Sequence, residues 1–258
     1  MHLKKLFPIL VFVFLGFYCS DAIAVAPLGP PASNLGKGKY SFGLDYTYSK
    51  MGLEFDNGAS PGGGPAFKTK FKTNAVYVSL SRGITDDWEI FFRMGAGDTR
   101  ATDDIGTTHM HIHDVDRGYS FGFGTKWNFW RPNEKLTVGG IYQILWTKVE
   151  SNANINNNRW RTDTDYTEMQ FAVGPEYKIR DNITLYGGGF INLLQGDMTA
   201  KQKVGGTGRI SYDVRSDSLL GGFVGSRIAV NKNTSFAIEW QHTAAMNLIG
   251  LNLTFLLN

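Results

Sequence analysis

The stretch "HMHIHDVDRG", residues 109–118, sets imidazoles at His109, His111 and His113 with Asp114 and Asp116 directly behind them. Three imidazoles at alternate positions, with a carboxylate oxygen in reach, form a donor set suited to zinc, nickel or copper. A closed metal site also wants a fourth ligand and a fixed geometry, and the preceding "IGTT" does little to fix one. The stretch therefore reads either as a metal site on His109, His111 and His113 or as a solvated loop. A second candidate is "EWQHTAAMN", where His242 lies on the same segment as Glu239 and Thr243. A general base needs a positioned nucleophile or water and an orienting partner. No such set can be named around His242, which shares its alternate-residue phase with Trp240, and no enzyme is expected. "YGGGF", residues 186–190, has no helix to follow it and reads as a strand in a confined space, not as a phosphate loop.

What these residues can do depends on the elements that carry them. Lys4 and Lys5 precede the apolar run "LFPILVFVFLGFY", and small residues follow at Ala22 and Ala24. This is the pattern of a secretory signal peptide over residues 1–24, cleaved after Ala24. A lipoprotein signal would acylate Cys19, but Phe17 and Tyr18 stand where such signals carry small residues. Without residues 1–24 the chain has no cysteine, so an exported product cannot rest on disulfides. Residues 25–37, "VAPLGPPASNLGK", read as a flexible leader without structure of its own. Residues 38–258 then form a single domain.

The chain is rich in Gly (31), Phe (18), Tyr (11) and Trp (6), yet its mean hydropathy is only −0.19. Beyond the signal, no apolar run reaches the roughly 18 residues of a membrane-spanning helix. Loss of Lys4, Lys5 and Asp21 lowers the net charge from +3 to +2. That near balance gives no reason to expect nucleic acid as a partner.

Alternation dominates instead. In "WEIFFRMGAGD", Trp88, Ile90, Phe92, Met94 and Ala96 share one face, and Glu89, Arg93, Gly95 and Gly97 the other. "YTEMQFAVGPEYKIR" divides likewise, with Met169, Phe171, Val173, Tyr177 and Ile179 opposite Glu168, Gln170, Glu176, Lys178 and Arg180. About ten strands follow, with eight or twelve as the neighbouring even counts. They cover residues 38–53, 69–83, 87–99, 117–130, 135–150, 163–180, 182–198, 208–230, 233–244 and 246–257. Tight links ("ITDD", "RPNE", "RDN", "NKN") alternate with long ones around residues 52–68, 100–116, 151–163 and 199–208. The final link, "TAAMN", is short where a long one is due.

Short turns at one end, long loops at the other and one apolar face per strand predict an all-β fold, a closed antiparallel transmembrane β-barrel. In hydrocarbon an open sheet edge would strand its backbone groups, so the sheet must close. Trp88, Trp127, Trp130, Tyr177, Phe236 and Phe255 fall near one rim, and Tyr46, Tyr48, Trp146, Tyr166, Tyr212 and Trp240 near the other, as interface girdles would. A soluble all-β fold would turn its apolar faces inward and has little use for two such belts.

With this alternation, segments such as "VYVSLSRGITDDWEIFFRMGAGD" and the terminal strand "NLIGLNLTFLLN", the chain resembles small bacterial outer-membrane β-barrels, the porin-like barrels of Gram-negative bacteria. The resemblance is architectural. It implies location in the outer membrane, contact with its lipid and lipopolysaccharide, and insertion by the barrel-assembly machinery. Members of the group typically end in an aromatic residue, whereas here Phe255 is followed by "LLN".

If the apolar faces meet lipid, Asp45, Glu89, Arg93, Lys126, Glu168, Glu176, Lys178, Arg180, Arg227 and Glu239 line the lumen. Opposite charges inside a low-dielectric wall should pair. Ten strands lie near the eight that side chains just fill. Inward glycines such as Gly95, Gly139 and Gly225 either make room for long neighbours or open a slit. The expected function is thus a porin-like or structural barrel with a narrow mixed-charge lumen, either filled or passing ions or small solutes. The alternatives are a surface binding or adhesion protein acting through its outer loops and, behind it, an outer-membrane hydrolase. No cofactor is expected, and the barrel is expected to be a monomer.

Overall fold

The computed structural model describes residues 26–56, 67–101, 110–155, 158–202 and 208–257. The signal sequence over 1–24 and His109 lie outside the described residues. The described chain forms eleven strands and no helix: β1 (Tyr40–Asp56), β2 (Phe67–Gly83), β3 (Trp88–Ala101), β4 (Met110–Trp130), β5 (Leu136–Ile155), β6 (Asn158–Arg180), β7 (Ile183–Gln202), β8 (Arg209–Ser216), β9 (Leu220–Asn231), β10 (Thr234–Thr243) and β11 (Met246–Leu257). All pairings are antiparallel, and β11 pairs back onto β1 from Tyr40↔Leu257 to Met51↔Met246. A ring of ten strands results, with β8 paired to both β1 and β7 above the short strands β9 to β11, and it is the closed all-β barrel expected from the alternation.

Near the turn end, which carries the links β2–β3, β4–β5, β6–β7 and β9–β10, the faces sort as a bilayer requires. On β3, Trp88, Ile90, Phe92 and Met94 are 41–47% exposed, while Glu89 and Arg93 are only 8% and 7% exposed. Charges point in and apolar side chains point out, the inverse of a water-soluble domain.

Toward the outer end the same strands keep their phase and exchange their chemistry. The inward side of β1 changes from Asp45, Thr47 and Ser49 to Met51, Leu53 and Phe55, all buried. Its outward side passes from Tyr46 and Tyr48 to Lys50, Glu54 and Asp56. On β6, Phe171 and Val173 face out below, and Arg161, Asp163 and Asp165 above, with Trp160 and Tyr166 buried inside. On β7, outward Ile191 and Leu193 give way to Gln195 and Asp197, over inward Met198 and Ala200. The outer ends of these strands have the polarity of a soluble β-domain. The outward apolar stretches span about 9–11 residues, the length needed to cross a bilayer.

The inversion corrects two girdle residues. Tyr166 and Tyr212 are buried in the outer core, not set at the rim. Tyr166 is two residues from inward Glu168 and shares its face; Tyr212 shares the face of Val214 on β8. The long outer loops are also shorter than expected, because strands run on through them. β5 and β6 stay paired from Leu136↔Tyr177 to Ile155↔Asn158. The polar "SNANINNNRWRTD" has no lipid-facing apolar pattern, but in water the backbone ladder does not need one.

The predicted strand over 208–230 is two strands. The β10–β11 hairpin turns at once after Thr243, and Ala245 O accepts a 2.7 Å bond from Gly52 N–H. Above that turn there is no β10 to pair with, so β8 swings across and pairs with β1, Leu53↔Ser216 to Asp56↔Asp213, while retaining β7 on its other side. The break at residues 217–219 is where the partner changes from β10 to β1.

Candidate functional site: the occupied lumen

The leader expected to be flexible has no helix or strand over residues 26–39, but it lies inside the barrel. Ala26, Leu28, Ala32, Ser33 and Leu35 are buried. Wall side chains take its backbone groups in order. Glu239 on β10 accepts Leu28 N–H at 2.9 Å and Gly29 N–H at 2.8 Å, one on each oxygen. Glu176 on β6 accepts Ala32 N–H at 2.7 Å. Asn128 on β4 accepts Ser33 N–H at 2.8 Å and donates to Ser33 O at 3.1 Å. Gly38 N–H donates to Gly83 O at 2.8 Å where the leader meets the rim. Gly29 and Gly38 hold φ of +73° and +74°, which L side chains rarely adopt, and so allow the leader to bend back on itself. This is how the segment satisfies its amides without a ladder, and a carboxylate acceptor strengthens each bond.

Arg93 on β3 holds the upper end of the leader. Its guanidinium donates to Pro27 O at 3.0 Å and to Gln143 Oε1 at 2.8 Å, and its Nε lies 3.5 Å from Asp45 Oδ2. The rings of Phe91 and Tyr77 lie 5.3 Å and 5.9 Å from its centre. Asn252 donates to the other oxygen of Asp45 at 2.6 Å. Gln143 is bonded in turn to Gln170. A buried charge pair of this kind is tolerable because each partner has further hydrogen bonds or ring contacts.

Below and beside the leader remains a cavity of about 630 Å³, open toward the turn end and lined in part by Ser79, Lys126, Arg227 and Asn252. The glycines make room more than they open a slit. A Cβ on Gly139 would come within 2.5 Å of Ala32 Cα, one on Gly95 within 2.3 Å of the Tyr77 ring, and one on Gly225 within 2.4 Å of the Tyr186 ring. Above the leader the lumen is filled by Leu53, Phe55, Phe71, Tyr166, Leu194, Met198 and their neighbours, packed as one apolar cluster.

Of the residues expected to line the lumen, Asp45, Glu89, Arg93, Glu168, Glu176 and Glu239 are buried within it. Lys126 and Arg227 face the cavity, and Arg227 pairs with Glu176 at 3.4 Å. Lys178 sits at the mouth, 3.5 Å from Asp181. Arg180 does not join them; it is exposed at the end of β6, outside the cavity lining. The expected mixed charge is confined to the lower half. His111 and His113 lie on β4, their backbones in register with Asn154 and Asn152, so this part of the stretch is strand, not loop. Among the described residues no group of three or more His, Cys, Asp or Glu side chains has a metal-holding arrangement. His242 is exposed on the outer face of β10, stacked on Trp240 at 5.6 Å and bonded to Asn247 at 2.9 Å.

Sequence reasoning placed Gln143 and Asn128 on the inward side of their strands but missed the leader that they hold. The available signal was Ala26, Leu28 and Leu35, apolar residues in a segment that would otherwise lie in water. Outside the membrane-spanning zone, hydrogen bonds donated to acidic neighbours hold cations above their ordinary pKa: Lys68 to Asp217, Arg161 to Asp163 and Arg215 to Glu54. Lys68 thus ties β2 to the link after β8, and Arg215 ties β8 to β1.

No protein-family model matches the chain, and no curated protein matches it. Solved structures do. The outer membrane protease OmpT from Escherichia coli superposes with a TM-score of 0.55 at 10% identity, covering 85% of this chain and 97% of that one. The translocator domain of the autotransporter NalP from Neisseria meningitidis gives 0.48 at 10% identity, with 88% and 90% covered. The outer membrane protein OprG from Pseudomonas aeruginosa gives 0.45 at 10% identity, with 86% and 97% covered. Identities this low speak for architecture alone. A ring of ten antiparallel strands that hides its charges and displays its apolar side chains is the fold of the bacterial outer-membrane β-barrels, and this chain has that fold.

Proposed function

We propose that the protein is a structural outer-membrane barrel that stays closed, carrying a solid β-extension on the cell surface. It is porin-like in build, but its lumen is filled by two different means. The leader occupies the half within the bilayer, and an apolar core occupies the half beyond it. The observation that carries this reading is the outer core: Leu53, Phe55, Leu194 and Met198 are at most 2% exposed, and a packed apolar plug conducts neither ions nor polar solutes. The protein is exported with residues 1–24 removed, is inserted as a monomer by the barrel-assembly machinery, and sets its outward apolar faces against lipid and lipopolysaccharide. It performs no hydrolysis. Single-channel recording of the processed protein in a planar bilayer tests this. A flat baseline is expected, and large stable openings would overturn it.

A second reading, surface binding, draws on the height of one side of the barrel. β4 to β7 run 20–23 residues against 10–12 for β9 to β11. About ten residues of each tall strand project beyond the bilayer, roughly 25 Å after tilting. Such a wall suits contact with another surface. Cells bearing the protein with these outer ends trimmed should lose attachment that cells with the full-height wall retain; equal attachment would remove the reading.

A further inference from the structure

The first polar side chains beyond the outward apolar band differ in charge from one side of the barrel to the other. On β5 and β6 they are Lys148, past Trp146, and Thr167 and Asp165, past Met169, and Lys148 pairs with Asp165 at 3.8 Å. On β1 and β2 they are Lys50, past Tyr48, and Asn74 and Lys72, past Val76. Lys50 and Lys72 are exposed and stand directly opposite each other in the β1–β2 register. Like charges so placed, with Cβ atoms about 4.5–5.5 Å apart, repel. Among the described residues no acid pairs with either lysine. Asp98, diagonal to Lys72 on β3, accepts from Asn74 at 2.9 Å. Further out, Lys68, Arg161, Lys201 and Arg215 each face an acid.

The neighbouring strands extend this row. Arg100 on β3 is opposite Lys72, and Asn247 on β11 is opposite Lys50. His242 on β10 is opposite Asn247, donates through Nδ1 to Asn247 Oδ1 at 2.9 Å, and stacks on Trp240. The amide nitrogen of Asn247 is left as a donor next to Lys50. The row one step below is Tyr48, Ile249 and Trp240, the top of the apolar band on these strands. A row of cations and donors with no acid in it, resting on a surface that meets acyl chains, matches an amphiphile with an anionic head.

We propose that Lys50 and Lys72, with Asn247 beside them, clasp a phosphate group of an outer-leaflet lipid, the lipid A of lipopolysaccharide, whose acyl chains lie on Tyr48, Ile249 and Trp240. The inference rests on the proposed contact of the outward faces with lipid and lipopolysaccharide, and gives that contact a place on the barrel. Each ammonium brings three donors, and a phosphate brings the charge and the acceptor oxygens to take them. An anion between the two lysines replaces their repulsion by attraction to a common partner. A free phosphate would satisfy the lysines but make no use of the apolar surface beneath them.

The test is native mass spectrometry of the processed protein in detergent, titrated with diphosphoryl lipid A, with the same lipid freed of phosphate, and with inorganic phosphate. Diphosphoryl lipid A should bind, and Lys50→Gln combined with Lys72→Gln should weaken that binding about 30-fold. Lys50→Arg with Lys72→Arg should retain it. So should Arg159→Gln with Arg209→Gln, which removes the same charge from exposed positions near the strand tops. Lipid without phosphate should bind the native protein and the Lys50→Gln, Lys72→Gln variant equally. The comparison of the two lipids on native protein stands whether or not a variant folds. Equal losses from the two glutamine pairs would reduce the effect to net charge and overturn the site, as would binding that Lys50→Gln and Lys72→Gln leave unchanged. Displacement of lipid A by millimolar inorganic phosphate would assign the row to a free anion and overturn the lipid. A processed protein that stays monodisperse without detergent would overturn the outward apolar faces themselves, and the site with them. A detergent-dependent protein with no preference for the phosphorylated lipid would overturn the site alone.

Discussion

Between Asp45 and Met51, on one face of one strand, the lumen changes from a place for charges to a place for hydrocarbon. Below that level Asp45, Arg93, Glu176 and Glu239 are buried with partners, and the leader fills the space between them. Above it Leu53, Phe55, Phe71 and Met198 pack against one another. The backbone does not mark the change, for the β1–β2 register runs unbroken from Tyr40↔Arg82 to Phe55↔Phe67. What differs is the solvent outside. Where acyl chains surround the barrel, apolar side chains gain nothing by turning inward and polar ones have nowhere else to go. Where water surrounds it, burial of apolar surface is again favourable, and the same strand turns its greasy face to the middle. Period two tells which residues share a face; the surrounding solvent decides which face is inside.

Substitutions matched between the two halves sharpen that contrast. The largest losses should come from Phe55→Ala above and Arg93→Met below, each of about 3–5 kcal/mol for different reasons: a cavity in a packed core in one case, and Asp45 left as an unpaired buried charge in the other. Thermal unfolding in detergent measures both. Limited proteolysis should separate them, with Phe55→Ala opening cleavage in the outer strands and Arg93→Met leaving those strands resistant.

Next in size is Glu239→Ala. Leu28 and Gly29 lose the acceptors of two charge-assisted bonds, a loss of about 3 kcal/mol in leader seating. The thiol of Ser33→Cys should then react with maleimide roughly 100-fold faster, while thermal resistance of the outer half is unchanged.

Lys68→Met should have the smallest effect. Its ion pair with Asp217 is largely exposed and screened. Because the pair raises the Lys68 pKa, its contribution is complete below the unfolded ammonium value of about 10.4 and fades as pH climbs through the higher folded value. The difference in melting temperature between the native protein and Lys68→Met should be small, constant to about pH 10, and smaller above it.

Much of this was legible before the fold was seen. Alternation in Trp88–Asp98 and Tyr166–Arg180 gave the strands, their inward charges and the closed ring. The short link "TAAMN" pointed to something unusual at the last hairpin, and β8 passes across just there. Tyr166 and Tyr212 went astray because an aromatic near a strand's outer end looks alike in a girdle and in a core; only phase relative to Glu168 and Val214 separates them. The leader went astray because proline and glycine usually mark loose chain, whereas here they shape a segment whose amides are held by carboxylates more than 140 residues away in sequence. Sequence patterns report local order, and these contacts are not local.

The reversal of polarity along one continuous strand can be measured directly. A spin label placed on single cysteines at the outward positions of β6, from Ile179 through Tyr177, Val173, Phe171 and Met169 to Thr167, Asp165 and Asp163, reports collision with oxygen in lipid and with a nickel chelate in water. The protein reconstituted in bilayers should show oxygen-rich contact down to Met169 and a switch to chelate-rich contact from Thr167 onward. Oxygen-rich contact continuing through Asp163, or chelate-rich contact at Phe171 and Val173, would contradict a barrel that is inverted inside the bilayer and soluble-like beyond it.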